Sequence, residues 1–249
     1  MLQHCLGYPI FFYLKTMVAA LHAYLQDFSH LLFPHNCEGC GTDVLQHTQM
    51  LCAQCLHQLP ETGFALTAVN PIEKMFYGRL NIVQATSAYY FTKQSLIQHL
   101  VHQLKYKGNK EVGIYLGRLL GHQLKASQRF DEIEALVPLP LNPKREFKRG
   151  YNQATAICEG MTQVLHKPIL KDAVARTVFT QTQTQQSRVR RWQNMDGVFA
   201  INNEKALQGK HLLLVDDIVT TGATLEACGA ALLQMPYTKL SIATVAYTV

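Results

Sequence analysis

The chain has 249 residues, enough for one large domain or for a domain of roughly 150 residues with a small appendage. Hydrophobic residues make up 48% and charged residues 16%, which excludes long disorder, and no apolar run reaches the roughly 18 residues of a membrane-spanning helix. A formal net charge of +6 suits an anionic ligand, such as a polyphosphate or a nucleic acid, without selecting one.

Near the N-terminus, Leu6 to Leu14 is apolar with Lys15 after it, but a basic n-region and a small-residue cleavage site are missing. No secretory leader is expected, and the protein is expected in the cytoplasm. Met17 is an alternative start to Met1, which would leave residues 1–16 as an extension. From Met17 to Phe33, Val18, Leu21, Leu25, Phe28, Leu31 and Leu32 recur near helical spacing, and Pro34 closes the run. The spacing predicts an amphipathic helix within an N-terminal segment 1–34, whose apolar face docks on its own domain in preference to a partner or a membrane surface.

Four of the seven cysteines follow as two C-x-x-C pairs, Cys37 with Cys40 and Cys52 with Cys55, with Gly39 and Gly41 supplying tight turns. Such clustering reads as metal binding in a reducing compartment. Four thiolates at this spacing suit tetrahedral Zn2+, and four protein ligands leave no position for a water, so the zinc is expected to be structural. It would fix a compact ribbon over 35–60 that cannot build its own core. A redox C-x-x-C would need one pair beside a βαβ unit and would not need the second. His35 and His57 flank the cluster as weaker candidates, while Cys158 and Cys228 fall on apolar helix faces and read as core.

Pro60 to Gly78 lacks periodicity and reads as a linker or irregular cover. Ile82–Phe91 is β-prone, and Leu96–Leu104 and Val112–Leu124 read as helices split at Gly108. Strand and helix then alternate: strand Ala135–Pro140, helix Asn152–Leu165, strand Val198–Ile201, strand Leu212–Val215, helix Thr224–Leu233 and strand Leu240–Ala246. This alternation predicts an α/β domain with a buried parallel sheet and helices on both faces. A Thr/Gln-rich tract, Thr180–Gln186, interrupts it.

Leu212–Val215 is apolar on both faces, so it reads as a central strand, and the polar run Asp216–Thr224 is expected where that strand ends. Ligands of open α/β sheets bind at that end. Thr220, Thr221, Gly222, Ala223 and Thr224 are small or hydroxylated, which lets backbone N–H groups approach a phosphate at the start of a helix. Asp216 and Asp217 would repel that phosphate but suit ribose hydroxyls one sugar away. An acidic pair followed by a phosphate loop fits a sugar 5-phosphate. No G-x-x-x-x-G-K-[ST] or strand-linked G-x-G-x-x-G occurs, which disfavours an ATPase or a dinucleotide enzyme.

After the strand at Ala135, the loop Pro143–Gln153 carries Lys144, Arg145, Lys148 and Arg149, with Gly150 beside Arg149. These cations are expected on the same sheet edge, beside the phosphate loop. A second basic run, Arg188–Trp192, is expected to belong to a mobile flap.

The acidic-threonine run resembles the phosphoribosyl-pyrophosphate (PRPP) motif of type I phosphoribosyltransferases. With Leu104-Lys-Tyr-Lys-Gly108, Val137-Pro-Leu-Pro140, Lys144-Arg145, Arg149-Gly-Tyr-Asn-Gln153, Gln183-Thr184, Arg191-Trp-Gln-Asn194 and Gly197-Val-Phe199, the chain is similar to the ComF family of phosphoribosyltransferase-like proteins. The four-cysteine module is similar too. The resemblance implies a type I phosphoribosyltransferase-like domain over 79–249, in which Asp216 and Asp217 hold the ribose hydroxyls, Thr220–Thr224 wrap the 5-phosphate and Arg149 stabilises pyrophosphate, with Mg2+ bridging ligand oxygens. It further implies a link to DNA uptake and the use of external DNA. Two functions are therefore expected: a phosphoribosyltransferase of unassigned acceptor or, as the alternative, a non-enzymatic adaptor that keeps the fold as a PRPP sensor or scaffold and contacts single-stranded DNA or a DNA-uptake helicase.

Overall fold

The computed structural model describes residues 36–43, 49–177 and 198–248, with the isolated positions Lys15 and Met17. The expected N-terminal helix beyond Met17, His35, the tract at 180–186 with Gln183 and Thr184, and the basic run at 188–192 lie outside the described residues. The chain divides into two units, Met1–His57 and Gln58–Val249. In the first, the cysteine turns precede a short helix, α1 (Ala53–His57).

The second unit begins with the segment read as a linker or irregular cover, and several of its backbone groups are satisfied by side chains. Asn70 caps helix α2 (Pro71–Met75), accepting from the N–H groups of Ile72 and Glu73, while its amide donates to the carbonyls of Phe64, Thr67 and Ala85. Arg129 donates to the carbonyls of Phe64, Ala65 and Thr67 and pairs with Glu73 at 2.6 Å. Phe64, Ile72 and Phe76 are thereby carried into the core. A segment ordered this way has no reason to show a hydrophobic period.

The sheet follows from β1 (Ala85–Phe91), β2 (Ala135–Pro138), β5 (His211–Val219) and β6 (Lys239–Thr248), in the order β1-β6-β5-β2 and parallel throughout. Ile169 adds a parallel bridge to Leu136. Helices α3 (Leu96–Tyr106) and α4 (Lys110–Ser127) connect β1 to β2, α6 (Gln153–Leu165) follows β2, and α8 (Ala223–Leu233) connects β5 to β6. The path from β1 to β2 and that from β5 to β6 cross the sheet in opposite directions. Right-handed crossovers then set α3, α4 and α6 on one face and α8 on the other, as expected for a doubly covered sheet. The alternating side chains of β5 agree: Leu212 and Leu214 share a cluster with Leu225, Cys228 and Leu232 of α8.

Three elements differ from expectation. First, β5 does not end at Val215; it runs to Val219, because β6 offers Thr244, Ala246 and Tyr247 as partners for Asp216, Ile218 and Val219. The acidic pair therefore lies within the strand, with its two side chains on alternate faces. Second, the strand expected at Val198–Ile201 is not part of the parallel sheet. As β4 (Phe199–Ile201) it pairs antiparallel with β3 (Val174–Arg176), a strand too short to read from sequence. Third, the basic loop is a helix, α5 (Pro143–Arg149), capped by Asn142 and closed by Gly150 at φ 81°. A further short helix, α7 (Glu204–Leu207), precedes β5. Among the described residues no helix is long and apolar enough to cross a membrane.

Candidate functional site

Connections leave β5 and β2 in opposite directions, so the crevice beyond their carboxyl ends is a topological switch point, the usual ligand position in such sheets. The segments that meet there are Asp216–Thr224 after the core of β5 and the Leu139–Gly150 stretch after β2.

Gly222 turns the chain from β5 into α8 at φ 74°, a conformation that L side chains rarely adopt. A Cβ there would also lie 2.9 Å from Met75 Sδ and 3.0 Å from the Phe76 ring. Helices α2 to α7 each have an Asn or Ser side chain accepting from their first turn, whereas α8 has no side-chain cap. Its first N–H groups border a cavity of about 50 Å³ lined by Asp216 and by Ile218 to Leu225. An anion is the natural partner for such a helix start. Arg79 steadies the loop from behind, donating to the Thr221 carbonyl at 3.1 Å and pairing with Glu226.

Thr220, Thr221, Gly222, Ala223 and Thr224 are thus gathered around one small cavity, together with Asp216. Burial, and then the negative charge of Asp217, pushes the Asp216 carboxyl up to about 8, against the opposing pull of the Asp217 N–H, Lys105 and Arg176. The Asp217 N–H donates to Asp216 Oδ1 at 2.8 Å. Asp217 itself meets Lys105, whose Nζ lies 3.0 Å from Oδ2.

Of the expected cations, Arg149 and Arg145 line a cleft of about 480 Å³ with Lys105, Lys148, Tyr106 and Gly108. Arg149 stacks over the Tyr106 ring at 5.5 Å and donates to Gln153 Oε1 at 2.6 Å. Lys144 does not line this cleft; it is exposed in the first turn of α5, and Gly150 serves as the cap that ends the helix. Sequence reading gave no role to Lys105, Arg79 or Arg176. Lys105 stood inside a motif that was noticed, but a lone basic residue on a helix reads as solvated surface until the fold shows what it faces.

In the first unit the Sγ atoms of Cys37, Cys40, Cys52 and Cys55 all lie within 4.8 Å of one another. Zn–S bonds of about 2.3 Å in a tetrahedron require S···S separations of about 3.8 Å. Cys40 and Cys52 sulfurs are 3.7 Å apart, so the set fits the ion. The N–H groups of Gly39 and Cys52 donate to Cys37 Sγ, and that of Cys55 to Cys52 Sγ. Burial raises the Cys37 thiol, but backbone N–H donors at Cys52, Cys40 and Gly39 outweigh it and bring the group to about 6. Burial and the neighbouring sulfurs push Cys55 the other way. Four thiolates in this space repel one another, and a cation among them removes that repulsion.

The family model described as "Phosphoribosyl transferase domain" matches residues 156–248. The chain is 30% identical over 201 residues to the DNA utilization protein YhgH of Escherichia coli strain K12, across 80% of this chain and 78% of that protein. It is 27% identical over 214 residues to competence protein F of Haemophilus influenzae, across 84% and 83% of the two chains. Among solved structures, glutamine PRPP amidotransferase from Bacillus subtilis, complexed with ADP and GMP, aligns at a TM-score of 0.42 and 15% identity, over 57% of this chain and 30% of that chain. The parallel sheet and the matched model give the larger unit a type I phosphoribosyltransferase fold.

Proposed function

We propose that this chain, which belongs to the ComF family of phosphoribosyltransferase-like proteins, binds PRPP across the β5–β2 crevice and transfers its phosphoribosyl group to an acceptor. The observation that carries the reading is the uncapped start of α8, which faces a small cavity directly after an acidic pair. The N–H groups of Thr220–Thr224 take the 5-phosphate, and Asp216 and Asp217 accept the ribose hydroxyls. Arg149, with Arg145 beside it, meets the pyrophosphate as negative charge gathers on it. Lys144 and Gly150 support this from the ends of α5, as an exposed cation and a helix stop.

Mg2+ suits this ligand because it is commonly held by one or two carboxylates together with substrate phosphates. Asp216 and Asp217 would supply carboxylate oxygens to the ion, which would neutralise charge on the leaving pyrophosphate. Zn2+ in the four-cysteine site is structural, since its four sulfur ligands complete the coordination. We place the activity in the cytoplasm, in DNA uptake or the use of external DNA; the names of its relatives, DNA utilization protein and competence protein, support the link to DNA.

Thermal melting tests the reading. PRPP with Mg2+ at about 100 times its dissociation constant stabilises the folded state by roughly 2.7 kcal/mol, which is expected as a clear rise in Tm. Changing Asp216 and Asp217 together to Asn is expected to abolish that rise. An unchanged Tm at saturating PRPP, with salt-sensitive binding of single-stranded DNA that survives the double substitution, would instead favour the adaptor reading.

A further inference from the structure

Lys105 reaches both halves of the crevice. It lies in the last turn of α3, its Nζ 3.0 Å from Asp217 Oδ2, and the same side chain lines the cationic cleft with Arg145, Lys148 and Arg149. The side chains of the pair are 21% and 9% exposed, so solvent screens it little. An ammonium has three donors and can serve several acceptors, whereas a carboxylate held by an ammonium has less left for sugar hydroxyls.

On the reading above, the carboxylates and the cleft hold two parts of one ligand, and Lys105 stands where those parts join. We propose that Lys105 is a binding residue for the pyrophosphate arm of PRPP, held on Asp217 in the ligand-free protein and turned toward pyrophosphate oxygens when the sugar takes its place. This rests on the PRPP reading of the site. A lysine that only neutralised Asp217 would act through the sugar end, and its loss would weaken every ribose 5-phosphate ligand alike. Loss of a lysine that meets pyrophosphate weakens ligands that carry pyrophosphate far more than those that do not.

Calorimetric titration of the full chain with PRPP and with ribose 5-phosphate, each with Mg2+, separates the two. Lys105→Met is expected to weaken PRPP binding by about tenfold or more while changing ribose 5-phosphate binding by less than about threefold. Lys105→Arg is expected to recover part of the loss, because it restores a cation at the same place. Equal losses on both ligands, or undiminished PRPP binding, would overturn the proposal while leaving the site reading intact. If the unaltered protein binds neither ligand, the site reading falls and takes the proposal with it. Lys105→Gln gives the same comparison should Lys105→Met fail to fold.

Discussion

Asp216 shows how the site is held at some expense to the ligand-free fold. Its carboxyl is pushed up to about 8 by burial and by the adjoining Asp217, so the folded protein keeps the proton where the unfolded chain, at the ordinary 3.8, releases it. For an acid raised on folding, the contribution to stability is complete below the unfolded value and is lost as pH rises through the folded one. Asp216→Asn removes that loss and still accepts from the Asp217 N–H, because the amide oxygen can replace Oδ1. The ligand-free variant is therefore expected to melt a few degrees above the unaltered protein near pH 9 and close to it near pH 5. Melting curves across that range check the sign; an Asn variant that is the less stable one at alkaline pH would show that the paired acids hold the strand together. The same substitution is expected to lose ligand, so stability and binding should move in opposite directions.

Among the elements, the packing of α4 on α6 rests on glycines whose role sequence alone hides. A Cβ on Gly117 would lie 2.0 Å from the Ile157 carbonyl oxygen, and one on Gly160 would lie 1.9 Å from that of Ile114. Helix propensity favours Ala over Gly by about 1 kcal/mol, yet contacts this short with backbone cannot be relieved by a side-chain rotation. Either Gly117→Ala or Gly160→Ala is thus expected to destabilise by about 3 kcal/mol, read as a lower denaturant midpoint. A neutral or stabilising outcome would mean that the helices separate easily. Legibility followed the same divide between pattern and contact. The apolar core of β5 and the helices α3, α4, α6 and α8 were readable because their burial is periodic or complete. The last residues of β5 were not, because Asp216 and Asp217 look like a strand's end and are kept in the ladder by β6. Helix α5 carried its signals openly, Asn142 and Pro143 at one end and Gly150 at the other, but Phe147 is 92% exposed and no apolar face marked the turns between. The phosphate loop was legible as a motif; Lys105 was not, because its partner Asp217 is remote in sequence.

Across the molecule, the two units differ in what their described residues bury. The larger has a core of fully buried aliphatics from every strand of its parallel sheet, among them Leu136, Leu213, Leu214 and Ile242. In the described part of the smaller, Leu51 is buried, and beside it the buried apolar positions are Cys37 and Cys55, themselves half of the four-sulfur cluster. Among the described residues of this unit the apolar interior is small, and coordination at the four sulfurs would add stability to these turns. The purified protein is accordingly expected to carry about one zinc per chain by elemental mass spectrometry. Chelation, or Cys55→Ser, should open residues 36–57 to protease while the stretch after Gln58 stays protected. An apo protein whose N-terminal unit resists cleavage as well as the holo form would show that the turns are ordered by something other than metal. The distances favour the metal, because four sulfurs brought this close without a cation would be driven apart once more than one of them ionised.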